Sequence, residues 1–117
     1  MLQITAKHKI FIAIKPVDFR KGIDGLAGYC RKILAADPLS GHVFVFRNSK
    51  AKAIKILTYD SQGFWLCIKR LSSGKFNWWP QSRQVAMQLS VPELNNLIWN
   101  NKSLQQTHQE WHPIIDN

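Results

Sequence analysis

The sequence is poor in acidic residues, and it has no long apolar run. Of its 117 residues, 16 are Lys or Arg and only 7 are Asp or Glu, so the net charge is +9 and the pI is about 10.0. No apolar run approaches the roughly 20 residues that span a bilayer. The short N-terminal apolar run ends at Lys15 and Pro16 without a signal-peptide cleavage site. We therefore expect neither a membrane segment nor a secretory leader.

Cysteine is scarce as well, and its two positions exclude several kinds of site. Cys30 lies in a helical pattern and Cys67 on a strand, without the paired spacing of a zinc site. We expect buried, reduced thiols in a cytoplasmic protein. The chain also has no phosphate-binding glycine loop and no Ser/His/Asp constellation.

The positive charge is concentrated in the body of the chain. Residues 1–83 hold 15 Lys or Arg against 4 Asp or Glu, whereas residues 84–117 hold one Lys against three acids. With 45% hydrophobic residues and this length, we predict one folded domain over residues 1–100 and a polar tail over 101–117. Such a charge favours polyanions, either nucleic acid or an acidic protein surface.

Hydrophobic periodicity predicts an α+β fold. Its helices are an amphipathic one from Gly22, which must end near Asp37 because Pro38 follows, and one that begins at the capping box Ser90–Glu93. The predicted strands are 10–14, 42–46, 53–59, 64–71 and, last, 84–89. Loops as short as Asp60–Gly63 require antiparallel pairing. We predict an antiparallel meander of three to five strands, with a hairpin at Ser72–Gly74 and both helices packed on the sheet.

Three blocks of sequence carry a resemblance to a known family. They are Pro16–Leu26, Asp37–Phe46 and Asp60–Phe76. In this order and spacing they resemble the TnpB-type accessory protein of the insertion-sequence sixty-six group, the small second reading frame of a bacterial transposable element. The resemblance covers roughly residues 8–99. It implies bacterial origin and a role in transposition beside a separate, larger transposase, and it supplies no biochemical activity.

The chain departs from the family pattern in two places. Trp78-Trp79-Pro80 carries one residue more than the family's single Trp-Pro, and nothing carries over beyond Asn100. Adjacent residues of an extended segment point to opposite faces. We therefore expect one of the two tryptophan rings in the core and the other exposed.

Cations alternate with aromatic rings between Asp60 and Pro80. Cations neutralise phosphates and flat rings stack on bases, although the rings can equally fill a small core while the cationic stems cover its rim. We predict a factor that binds DNA through a basic, aromatic-interleaved sheet face. The predicted phosphate contacts are Arg47, Lys50, Lys52, Lys69, Arg70 and Lys75, with a second contact from Arg20 and Lys21 and with Trp78 or Trp79 on an unpaired base or a partner.

The second contact has an alternative explanation. Arg20 and Lys21 directly precede a helix N-terminus, where Gly22 allows close approach of a phosphate. Alternatively, Arg20 pairs with Asp18 or Asp24. Both readings remain open at the level of sequence.

Two other functions compete with DNA binding. A protein adaptor would present the positive face to an acidic transposase surface. A metal-dependent nuclease would need clustered carboxylates, whereas each candidate has a structural place at a helix start or a turn. These candidates are Asp18, Asp24, Asp37 and Asp60.

The tail contributes only one further candidate for metal binding. His108 and His112 lie four residues apart, and the sole nearby third ligand, Glu110, falls on another helix face. We expect no metal, no cofactor and no catalysis. The expected partners are DNA and the transposase of the same element.

Overall fold

The structure is a computed structural model that describes residues 8–100. The predicted tail, with His108 and His112, lies outside these residues. The described part contains five strands and two helices. In chain order they are β1 (Ile10–Ala13), α1 (Ile23–Lys32), β2 (Val43–Arg47), β3 (Ala53–Tyr59), β4 (Phe64–Arg70), β5 (Ala86–Leu89) and α2 (Val91–Ile98). No helix among residues 8–100 is long and apolar enough to cross a membrane.

The first helix ends five residues before the predicted end at Asp37. Ala35 adopts a left-handed conformation with φ of 51°, and the backbone N–H of Ala36 donates to the carbonyl of Cys30 at 2.9 Å. This bond closes the C-terminal turn of the helix around the left-handed residue, a common way for helices to end. Leu34 is buried at this turn. The helix therefore ends before the residues whose backbone conformation Pro38 restricts.

The sheet has the order β4-β3-β2-β1-β5. The predicted meander is confirmed, because β2, β3 and β4 pair antiparallel in sequence. The purely antiparallel sheet is wrong, because β1 pairs parallel with β2, with Ile12 opposite Val45. Helix α1 is the crossover that returns the chain to the start of β2, as a parallel pair requires. Strand β5 then pairs antiparallel with β1, so the α+β sheet is mixed.

The predicted hairpin at Ser72–Gly74 is also wrong. After β4 the chain leaves the sheet and crosses one of its faces before it reaches β5. Phe76 and Trp78 are buried beneath that face, and the Phe76 N–H donates to the carbonyl of Ala51 at 2.7 Å. Burying two large rings in the core removes far more apolar surface from water than an exposed edge strand would.

Each face of the sheet has its own apolar core. Helix α1 covers one face, where Leu26 and Cys30 pack with Phe44 and Phe46. Helix α2 and the crossing segment 76–80 cover the other. The residues of this second core are Ile10, Ile12, Val43, Val45, Ile54, Ile56, Phe76, Trp78, Leu89, Leu94 and Leu97. Both faces are covered over the central strands, whereas the edge strand β4 leaves Trp65 44% and Ile68 60% exposed. The predicted DNA-binding sheet face stays a prediction, and the ends of the sheet also remain as surface.

Local signals in the sequence account for the second helix and for the thiols. The capping box is confirmed: Ser90 Oγ accepts from Glu93 N–H at 3.2 Å, and Glu93 Oε1 accepts from Ser90 N–H at 2.7 Å. Both cysteines are free. Cys30 is fully buried, and burial raises the pKa of its thiol to about 12, so this thiol is inert at neutral pH.

Candidate nucleic-acid interface

The topology gathers the cations at one end of the sheet. Strands β1, β2 and β4 end there and β3 and β5 begin there, since Ala13 pairs with Ala86, and Ala53 with Arg70. We call the residues 14–22, 47–52 and 70–85 at this end the basic end. They include nine Lys or Arg residues and a single acidic residue, Asp18. The nine are Lys15, Arg20, Lys21, Arg47, Lys50, Lys52, Arg70, Lys75 and Arg83.

The connections at the opposite end of the sheet, 33–42 and 60–63, contain Asp37 and Asp60 and no Lys or Arg. The nearest cations there are Lys9, directly before β1, and Arg31 and Lys32 in the last turn of α1. The basic end is distinguished by its excess of cations over acidic residues. A cluster of one sign raises the local potential and attracts polyanions. All predicted cations except Lys69 lie in the basic end, and Lys15 and Arg83 join them although neither was among the predicted phosphate contacts.

Hydrogen bonds connect the outer loops of the basic end. Asn48 Oδ1 accepts from the N–H of Lys52 at 2.9 Å and closes the β2–β3 loop. The carbonyl of Lys52 accepts from Leu71 N–H at 2.9 Å, which ties this loop to the end of β4. These contacts hold Lys50, Lys52, Arg70 and Lys75 on neighbouring exposed loops. Their side chains form no ion pair within residues 8–100, where the sole one joins Arg20 and Asp18.

Arg20 is held by Asp18, as the alternative explanation expected. Its Nη2 lies 2.6 Å from Asp18 Oδ2, and Nε donates to both carboxylate oxygens. The hydrogen bonds from Arg20 lower the pKa of Asp18 to about 2. Lys21 remains exposed; its stem lies over Gly25 in the first turn of α1, where an added Cβ would come within 3.0 Å of Lys21 Cβ. The absent Cβ thus lets a cation lie beside the N-terminus of α1.

Lys69 is engaged by the C-terminus of α2. Its Nζ donates to the carbonyl of Ile98 and lies 5.0 Å from the ring centroid of Trp99. A cation at a helix C-terminus meets the unpaired carbonyls and the negative end of the dipole. The side chain of Trp99 is 76% exposed. The sequence analysis missed this ring, whose one signal is its position directly after the apolar face of α2.

The predicted tryptophan pair is not exposed. Trp78 is only 8% exposed and belongs to the core. Trp79 is half-buried; its indole Nε1 donates to the carbonyl of Ala13 at 2.9 Å, and the Arg47 guanidinium lies 5.7 Å from its ring centroid. The expectation of one exposed ring is wrong, because the crossing segment packs both rings against the sheet.

Arg47 is the most enclosed cation of the basic end. Its Nη1 donates to the carbonyls of Asn48 and Ser49, each at 3.2 Å. Burial lowers the pKa of Arg47 from its usual value. The guanidinium nevertheless stays charged at physiological pH, because arginine titrates far above it.

An apolar groove lies between β4 and α2. Its volume is about 370 Å³, and its walls include Ile54, Cys67, Leu94 and Ile98. Trp99 also lines the groove, and so does Ile68, which is 60% exposed. Exposed apolar surface of this kind is typical of a protein contact.

Two of the candidate carboxylates, those of Asp37 and Asp60, bind the backbone of their own turns. Asp60 Oδ1 accepts from the N–H groups of Gln62 and Gly63, each at 3.0 Å, and Oδ2 accepts from Trp65 Nε1 at 2.7 Å. These bonds lower the pKa of Asp60. Asp37 Oδ1 accepts from Leu39 N–H at 2.9 Å. Across residues 8–100, no group of three or more His, Cys, Asp or Glu side chains is arranged to hold a metal ion.

Comparison with known proteins gives the chain its relatives. It is 37% identical over 90 residues to "Uncharacterized protein y4jC" of Sinorhizobium fredii (strain NBRC 101917 / NGR234). The aligned region covers 77% of this chain and 76% of that protein. It is 34% identical over 98 residues to "Uncharacterized protein y4hO" of the same strain, with 84% of each chain covered. No solved structure matches. The sequence model described as "IS66 Orf2 like protein" matches residues 8–109, and the chain therefore belongs to the IS66 Orf2-like family.

Proposed function

We propose that the protein is a non-catalytic, cytoplasmic accessory factor for transposition, which binds DNA through the basic end and assists a separate transposase. Membership in the IS66 Orf2-like family implies an accessory role associated with transposition. The DNA-binding part rests on one observation: nine cations and a single acidic residue share the basic end. The non-catalytic part is supported by Asp18, Asp37 and Asp60, whose carboxylates already bind neighbouring groups.

The exposed loops of the basic end supply the phosphate contacts. Lys50, Lys52, Arg70 and Lys75 are solvent-exposed and project from neighbouring loops, so one DNA backbone can meet several of them. Each neutralised phosphate releases about one counterion, which makes such binding strongly dependent on salt. Lys69 contributes less in this proposal, because its ammonium group is engaged by α2.

Removing two cations from the basic end tests this proposal. In the double variant Arg70→Ala/Lys75→Ala, the plot of log affinity for duplex DNA against log salt concentration should flatten by roughly two units. The matched control is Arg31→Ala/Lys32→Ala, which removes one Arg and one Lys from exposed positions in the last turn of α1. Gel shifts at several salt concentrations measure both slopes.

The control variant should keep the slope of the unmodified protein. Equal flattening in both variants would mean that net charge alone governs binding. If the unmodified protein fails to bind duplex DNA at low salt, the DNA-binding proposal is wrong.

A protein adaptor is the second candidate function, and the apolar groove supports it. The groove offers Ile68, Ile98 and Trp99 as apolar contacts and contains Lys69 as a cation. Large aromatic residues of this kind are often the anchors of protein interfaces. An acidic, partly apolar segment of the transposase fits this chemistry.

Trp99 separates the two candidates. Because its ring is 76% exposed, Trp99→Ala should leave the melting temperature nearly unchanged. If the ring stacks on a base, the variant should bind single-stranded DNA about 1–3 kcal/mol more weakly. The matched control is Trp65→Ala, at the opposite end of the sheet and 44% exposed. If Trp99→Ala binds DNA normally and loses the transposase in a pull-down assay, the ring is a protein anchor and the adaptor is favoured.

A further inference from the structure

The basic end contains a cleft that the phosphate contacts above leave unused. It has a volume of about 280 Å³ and lies where the chain leaves β1 and where it approaches β5. None of the residues that line the cleft is acidic. Those that matter to its chemistry are Lys15, Pro16, Arg47, Trp79, Pro80 and Ser82.

Arg47 is held in this cleft, and its guanidinium has a hydrogen-bond donor that no protein group among residues 8–100 accepts from. Its backbone carbonyl accepts from Val17 N–H at 2.9 Å, and its guanidinium lies against the ring of Trp79. Within the described residues its Nε is buried and has no hydrogen-bond partner, since the two bonds of the side chain use Nη1 alone. A buried charged donor without an acceptor is rare in folded proteins, and a bound ion or an ordered water commonly supplies the acceptor.

The walls of the cleft include a hydrogen-bonded indole and further donors. Trp79 is held through its indole N–H by the carbonyl of Ala13, and two prolines flank the space. Ser82 Oγ accepts from Gln84 N–H at 3.0 Å, which leaves the hydroxyl hydrogen of Ser82 for a ligand. Lys15 is exposed, so its ammonium can reach the mouth of the cleft.

We propose that this cleft binds a phosphate group. Arg47 and Lys15 supply the charge, Ser82 donates a hydrogen bond, and Trp79 holds the guanidinium in place. Guanidinium and ammonium groups bind phosphate oxygens through short, charge-assisted hydrogen bonds. Under the proposed function the phosphate belongs to a DNA strand, either within it or at its end. Free inorganic phosphate shares the same chemistry, so the test must separate these sources.

The test follows the indole N–H signal of Trp79 by NMR in the full chain. Three probes are titrated: a single-stranded oligonucleotide with a 5′-phosphate, the same oligonucleotide without it, and inorganic phosphate. We expect the Trp79 signal to shift and saturate with at least one probe. Lys15→Gln should weaken that binding about tenfold, as the loss of a charge-assisted bond does. The control Lys32→Gln, also an exposed lysine, should change it little.

Each outcome supports or overturns either the phosphate-binding cleft or the proposed function in DNA binding. Preference for the phosphorylated oligonucleotide identifies a strand end, equal binding of both oligonucleotides identifies an internal phosphate, and saturation by inorganic phosphate alone identifies the free anion. If no probe moves the Trp79 signal, or if Lys32→Gln weakens binding as much as Lys15→Gln, the cleft proposal is overturned. In that case gel shifts with duplex DNA still test the basic end separately. Conversely, a Trp79 signal that responds to phosphate in a protein without DNA binding supports the cleft and overturns the proposed function.

Discussion

Replacing Trp78 by alanine is expected to lower the free energy of unfolding by about 3–5 kcal/mol, the range of large aromatic deletions in a core. The ring is 8% exposed and packs in the core beneath the sheet, together with Phe76 of the same crossing segment and Leu94 and Leu97 of α2. Its loss leaves a cavity that these neighbours cannot close, because they come from separate elements. Urea unfolding of the variant and of the unmodified protein measures the difference.

Trp99→Ala is the control for this prediction, because it deletes the same ring from an exposed position. It should change the free energy of unfolding by less than about 0.5 kcal/mol, as surface substitutions do. A small loss in Trp78→Ala, equal to that in Trp99→Ala, would contradict the core position of Trp78. It would also reopen the reading of this ring as a surface for DNA.

Features set by neighbouring residues were predictable from the sequence. The capping box of α2 lies within Ser90–Glu93. The turn Asp60–Gly63 is too short for a crossover, so the two strands that it joins must pair antiparallel. The burial of Cys30 follows from the apolar stripe of α1. In each case the determining residues lie within one or two turns of chain.

Features set by distant partners were not predictable. The parallel pair of β1 and β2 depends on where the α1 crossover returns the chain. The indole of Trp79 is bound by Ala13, 66 residues away in sequence, and Lys69 is bound by the carbonyl of Ile98, 29 residues away. Periodicity distinguishes two faces of a segment and contains no information on which distant group will cover each face.

The candidate site shows the same division. The sequence identified most of the cations, because charge is visible in composition. It assigned them to a sheet face, whereas the strand order brings the connections 14–22, 47–52 and 70–85 to one end. Only the register of five strands brings Lys15, in one connection, to the same cleft as Arg47 at the end of β2. The proposed surface is thus a product of topology.

A buried lysine links this surface to the core. Lys55 lies on β3 and is 6% exposed, with its Nζ donating to the carbonyls of Phe19 and Lys21 at 2.9 and 2.8 Å. The same ammonium lies 4.7 Å from the ring centroid of Phe19. These contacts tie the loop that holds Arg20 and Lys21 to the sheet, so Lys55 positions two cations of the basic end without belonging to its surface.

Lys55→Met should therefore destabilise the protein by about 2–4 kcal/mol, because methionine keeps the apolar stem and leaves two carbonyls without their charged donor. Urea unfolding measures the loss, and hydrogen exchange of the amides in residues 19–22 should become faster. Lys52→Met is the matched control: it removes an exposed lysine that precedes the same strand, and its effect should stay within about 0.5 kcal/mol.

Equal stability of the two variants, with unchanged exchange in residues 19–22, would mean that the loop holds its shape without Lys55. A loss of stability and faster exchange in residues 19–22 that are confined to Lys55→Met would instead show that the core orders the basic end.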